Sequence, residues 1–141
     1  MNRFLLYLFS LSIFSFPLLA HETFIINEKL ESHNLKSQLR LIEDKEGNFN
    51  FEDVINIPDE SWSKTNKDPS FGYTNSTHWA KVSIKSIKEN LFYLEISYPH
   101  LDFIDLYYYN QEGNLIQKKT GEYLPFDSRD LKYKNFIFLI K

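Results

Sequence analysis

The feature that most constrains this chain is a two-residue alternation that sets in at Trp79. Ala80, Val82 and Ile84 alternate with Lys81, Ser83 and Lys85. Phe92, Leu94, Ile96 and Tyr98 then alternate with Tyr93, Glu95 and Ser97, and after Pro99-His100 the residues Ile104, Leu106 and Tyr108 alternate with Asp105, Tyr107 and Tyr109. Successive side chains of a strand point to opposite faces, so each run is a half-buried strand with its apolar set turned to a core. Gln111-Glu112-Gly113-Asn114 is a turn into Leu115-Ile116-Gln117. Short strands separated by turn signals predict an antiparallel meander within an all-β sandwich or jelly roll.

Upstream, Thr23-Phe24-Ile25-Ile26 and Gln38-Leu39-Arg40-Leu41-Ile42 are strand-like, with a turn cluster at Asp44-Lys45-Glu46-Gly47-Asn48. Phe51-Glu52-Asp53-Val54-Ile55 fits one helical turn or another short strand. Residues 58–76 are rich in Pro, Ser, Asn, Asp and Gly and read as a long loop with Trp62 and Phe71 embedded in it. Loops of that length in a compact domain are often functional. At the other end, Asn135-Phe136-Ile137-Phe138-Leu139-Ile140-Lys141 is apolar on both faces, as a covered central strand would be, with no partner strand after it. On that ground the chain reads as a truncated or partial product.

The first residues carry a destination. Arg3 gives a basic start, and Phe4 to Leu19 is almost wholly apolar, ending at small Ala20. This is a signal-peptide pattern with cleavage expected before His21, because the run is shorter than the roughly 20 residues of a membrane-spanning helix. An uncleaved anchor is the alternative, since Leu18 is larger than the small residue usual at its position. Either way residues 21–141 form one domain outside the cytoplasm. Losing residues 1–20 removes only Arg3 among the charges and leaves 15 Lys+Arg against 19 Asp+Glu, a formal −4. That balance argues against a nucleic-acid partner, which needs clustered basic residues. With no Cys, there is neither a disulfide framework nor a thiolate metal site. The core must hold by apolar burial, and aromatics at 17%, with 13 Phe among them, supply it.

Three blocks carry a family resemblance. They are Phe71-Gly72-Tyr73-Thr74-Asn75-Ser76-Thr77-His78-Trp79, then Leu94-Glu95-Ile96-Ser97-Tyr98-Pro99-His100-Leu101-Asp102, then Thr120-Gly121-Glu122-Tyr123-Leu124-Pro125-Phe126-Asp127-Ser128-Arg129. In order and spacing they resemble the extracellular domain 2 type of seven-transmembrane receptors with diverse intracellular signalling modules (7TMR-DISM), over roughly residues 23–141. The resemblance implies a jelly-roll periplasmic sensor domain, similar to carbohydrate-binding modules. In intact relatives such a domain precedes receptor membrane helices and an intracellular output, which this sequence does not carry after Lys141.

If neighbouring strands present their polar parities together, Trp79, Lys81 and Ser83 join Tyr93 and Glu95 and then Asp105, Tyr107 and Tyr109. Rings that cover the apolar face of a pyranose, beside carboxylates and amines that meet its hydroxyls, suit a carbohydrate-like small molecule. The same rings also serve as cross-strand packing pairs, and spacing does not separate the two roles. Trp79 fits packing against the 58–76 loop as well as ligand stacking. Arg129 fits an acidic ligand group or an ion pair with Asp127 or Asp130. His21, His33, His78 and His100 lack metal-ligand spacing, and Asp44, Glu46 and Asn48 do not continue into a full calcium loop, so neither metal nor cofactor is expected. Glu95 and Asp105 are the best available catalytic pair if they face each other on neighbouring strands, but no nucleophile with a base accompanies them. The chain is therefore read as a binding domain and not an enzyme, with an extracytoplasmic protein-interaction module as the rival reading.

Overall fold

The alternation is realised most fully near the C-terminus. Phe136–Ile140 forms β9, in which Phe136, Phe138 and Ile140 are buried and Ile137 and Leu139 are half-buried. It pairs antiparallel with β6, Phe92–Ile96, in a register that sets Phe92 opposite Ile140 and Ile96 opposite Phe136. The C-terminal run is thus paired with a strand that precedes it in the chain. The next ladder is a hairpin of β7, Ile104–Tyr109, and β8, Leu115–Thr120. Its turn forms where expected, closed by the Gly113 N–H to the Asn110 carbonyl at 3.0 Å and the Asn114 N–H to Asn110 Oδ1 at 2.8 Å.

The structure, a computed structural model, describes residues 23–26, 31–86 and 91–141, so the expected signal peptide at residues 1–20 lies outside them. The chain divides into two units, one containing Asn34–Ser83 and the other Ile84–Lys141; β1, Thr23–Ile26, straddles the division. In the second unit, Phe92, Leu94 and Ile96 of β6 and Ile104, Leu106 and Tyr108 of β7 pack against Phe136, Phe138 and Ile140. Two ladders therefore share one aromatic-aliphatic core, on the parity that the alternation predicts. Tyr98 departs from that set and is exposed, because β6 ends at Ile96 and the chain turns away before Pro99.

The first unit is a three-stranded antiparallel sheet in the order β3, β2, β4, built from Ser63–Lys64, Arg40–Asp44 and Thr77–Lys81. The stretch read as a loop thus contains a short strand. Phe51–Ile55 resolves as a helix, α1, started by a capping box in which Asn50 Oδ1 accepts the Asp53 N–H at 3.0 Å and Asp53 Oδ2 accepts the Asn50 N–H at 2.9 Å. This reciprocal pair satisfies two amides that a helix start otherwise leaves open. One turn later Val54 is buried.

Two expectations are corrected here. The run 79–85 is not one strand: it breaks at Val82, so that β4 pairs with β2 while β5, Ser83–Ser86, pairs with β1. In β4 the parity is also reversed, with Trp79 and Lys81 partly buried and Ala80 exposed. Second, β6 is hydrogen-bonded to β9 and β7 to β8, so of the expected meander only the β7–β8 hairpin forms as successive strands. The all-β class stands, with α1 and three single-turn 3-10 segments as the described helical structure.

Candidate functional site

The face of the β7–β8 hairpin turned away from the core gathers three of the expected ligand residues. Asp105, Tyr107 and Tyr109 stand on β7, opposite Lys119, Gln117 and Leu115 of β8 respectively. Gln117 Nε2 donates to the Tyr107 hydroxyl at 2.8 Å, and the Lys119 ammonium lies 3.3 Å from the Asp105 carboxylate. Longer contacts of 3.5 Å run from the Tyr107 hydroxyl and from Gln117 Nε2 to Asp105 Oδ2. The ring of Tyr109, 61% exposed, continues the row. Gln117 and Lys119 were not among the expected site residues, although counting outward from the Gly113 turn pairs 109 with 115, 107 with 117 and 105 with 119.

Tyr93 and Glu95 occupy a separate ladder. They lie on β6 opposite Leu139 and Ile137, and Glu95 accepts a hydrogen bond from Asn135 Nδ2 at 2.6 Å. Tyr93 is exposed. Glu95 and Asp105 therefore do not face each other across hydrogen-bonded strands, and the pair considered for acid-base chemistry is not assembled by strand pairing.

Arg129 is turned inward. Its Nη1 donates to the carbonyls of Tyr133 at 2.5 Å and Lys134 at 2.9 Å, and the guanidinium sits 4.9 Å from the Phe126 ring centre and 4.4 Å from that of Phe136. The expected carboxylate partners are occupied by lysines: Asp127 by Lys132 at 2.8 Å and Asp130 by Lys118. A planar cation that satisfies carbonyls edge-on while covering rings with its face ties the 126–135 loop to the core.

In the first unit Trp79 and Lys81 stand on β4 and are both partly buried. Asp44 is buried, and its carboxylate accepts the Phe49 N–H at 2.9 Å and the Asn48 N–H at 3.2 Å. Burial pushes its pKa up, but the N–H groups of Phe49, Asn48 and Gly47, with the Trp79 indole, outweigh that and hold it below the ordinary 3.8. The oxygens considered for calcium at Asp44 are thus already used by the turn. Lys81 lies 4.2 Å above the Trp62 ring and 2.5 Å from Asp59, while the Trp62 indole N–H reaches the Ile57 carbonyl at 3.4 Å.

The same unit carries an open surface groove of about 290 Å³ that no sequence motif marks. Leu41 and Ile42 line it together with Glu43, Ser63, Phe71 and His78. Phe71 and His78 stack at 3.8 Å with their planes 23° apart, and Glu43 accepts the Ser76 hydroxyl at 2.7 Å. Phe71 comes from the long loop of residues 58–76, whose length is the sequence signal for it. Among the described residues, no three His, Asp or Glu side chains gather to hold a metal ion, and no helix is long and apolar enough to cross a membrane.

A protein-family model described as 7TMR-DISM extracellular 2 matches residues 36–141. No curated protein matches the chain, and no solved structure does.

Proposed function

The chain belongs to the 7TMR-DISM extracellular 2 family, an extracellular sensor domain of membrane receptors, and from that premise we propose that it binds a carbohydrate-like small molecule on the outward face of the β7–β8 hairpin. One observation carries the reading: Tyr107 and Tyr109 share that face with Asp105, Gln117 and Lys119, whose polar ends are already oriented by one another. Rings supply apolar contact to a sugar face, and a pre-oriented acid, amide and amine satisfy its hydroxyls with little ordering cost. Residues 1–20 act as the export signal and 21–141 as the binding domain in this reading. Tyr93, Glu95, Trp79, Lys81 and Arg129 then support the fold or lie beside the site and do not form its centre.

The test is a glycan array and a thermal-shift screen on the chain, repeated with Tyr107→Ala and Tyr109→Ala. A sugar that raises the melting temperature of the parent and not of either variant is the expected result. No sugar-dependent shift in the parent, with both variants folded, would leave the carbohydrate reading without support. The rival reading, a protein-docking face, is favoured by the exposure of Leu115 beside Tyr109; it predicts capture of an envelope protein that is lost in Tyr109→Ala and unaffected by sugars.

A further inference from the structure

Two of the three sequence blocks that carry the family resemblance meet at one place in the second unit. The loop after β6, residues 97–103, is joined to the loop after β8, residues 121–126, by the Glu122 N–H to the Leu101 carbonyl at 2.8 Å and the Tyr123 N–H to the Asp102 carbonyl at 3.2 Å. Leu101 packs on the Phe136 core, so the pair of loops is anchored from beneath. Gly121 permits the approach: its φ is 150°, and a Cβ there would lie 2.1 Å from the Asp102 carbonyl oxygen. Any larger residue would force the loops apart.

From this hydrogen-bonded base the loops display rings to solvent. Phe103 and Tyr123, 67% and 68% exposed, meet edge to face with centres 5.8 Å apart. Tyr98 and His100 form a second edge-to-face pair at 5.9 Å, and His100 Nδ1 lies 3.5 Å from Glu122 Oε2. Exposed rings on a pinned backbone bind with little ordering cost. The charge of the two loops is one-sided, since they contain Asp102 and Glu122 and no Lys or Arg. Elsewhere the protein places its own cations over rings, Lys81 on Trp62 and Arg129 on Phe126 and Phe136. Among the described residues, no lysine or arginine lies over Phe103, Tyr123 or Tyr98.

We propose that this loop pair is a binding site for a small organic cation, a quaternary ammonium or protonated amine, separate from the sheet face and independent of the carbohydrate reading. Ring faces carry negative potential and attract such a cation, and Glu122 and Asp102 add charge of the complementary sign. A neutral sugar is not attracted by net charge at a distance, whereas a cation is.

Choline and its neutral carbon isostere, 3,3-dimethylbutan-1-ol, provide the probe and its control in calorimetric titrations of the full chain. Choline should bind about fivefold or more tightly than the alcohol, and Phe103→Leu, Tyr123→Leu and Glu122→Gln should each weaken choline about two- to fivefold. Tyr73→Leu, a fully exposed ring in the other unit, should change nothing. The leucine variants keep apolar bulk and alter only exposed positions, and a thermal melt of each confirms that it is folded. Equal binding of choline and the alcohol, no binding of either, or loop variants that bind choline like the parent would each overturn the proposal.

Discussion

The two units differ in what they bury. The second packs Phe136, Phe138 and Ile140 against apolar residues of β6 and β7, and among its described residues the buried side chains are apolar apart from Thr120, whose hydroxyl lies 2.9 Å from that of Ser128. The first buries Val54 and Trp62 together with the carboxylate of Asp44, and holds Lys81 over an indole. The contrast shows why one unit followed its alternation and the other did not. In a hydrocarbon interior the apolar parity decides which face turns inward. In the first unit, the larger rewards come from hydrogen bonds to a buried carboxylate and from a cation on a ring, so Trp79 and Lys81 turn inward and Ala80 outward.

The largest effect expected from testing this contrast is in the second unit. Phe136→Ala removes a ring that is 1% exposed and should cost about 3–5 kcal/mol of stability in a denaturant melt. A loss under about 1 kcal/mol would mean that the shared core does not carry this unit. Next is Gly121→Ala, where the added methyl meets the Asp102–Phe103 backbone and the φ of 150° is strained for any side chain. Its expected cost is on the order of 1–3 kcal/mol, and parent-like melting would show that the two loops can separate freely.

For the first unit, Lys81→Ala should cost roughly 1 kcal/mol, from the lost ring contact and the partly exposed ion pair to Asp59. Lys81→Met, which keeps the stem over Trp62, should recover part of that loss. Equal melting of the two variants would mean that packing of the stem adds nothing.

The smallest effect at neutral pH is an acid dependence. Asp130 is partly buried. Burial raises its pKa, but the Lys118 ammonium, the Leu139 N–H and the Lys141 charge bring it below the ordinary 3.8, as Asp44 is brought below it in the other unit. A carboxylate whose folded pKa lies below its unfolded value stabilises the fold above the unfolded value, and that contribution disappears as pH falls through the folded pKa. Melting temperature should therefore stay level, as far as these two groups are concerned, from pH 7 to about 5 and fall below about pH 4. Asp130→Asn should flatten part of the fall, and an unchanged acid slope in that variant would remove Asp130 from the effect.

Much of the second unit is legible in the chain. Phe92, Leu94, Ile96, Ile104, Leu106 and Tyr108 are read inward from spacing and are found against the core. The Gly113 turn also falls where its residues demand. Strand partners are less legible, because many short apolar runs are acceptable neighbours for one another. Nothing local distinguishes β9 from β7 as the partner of β6, and the choice follows from which pairing closes the Phe136 core. The candidate site divides in the same way. Asp105, Tyr107 and Tyr109 share a face by parity alone, whereas their joining to Gln117 and Lys119 depends on the hairpin register. The separation of Tyr93 and Glu95 onto another ladder depends on the pairing of β6 with β9.

Residue order was thus sufficient for the all-β class, the family resemblance and the inward and outward parity of the second unit, because period-two patterning and local blocks are properties of contiguous sequence. Strand pairing, the reversal at Trp79 and Lys81, the inward turn of Arg129 and the meeting of the 97–103 and 121–126 loops were decided by tertiary structure. Apart from the turn of Arg129, whose partners lie within seven residues of it, each depends on a contact between residues far apart in the chain. Its free energy becomes available only when the two segments are brought together.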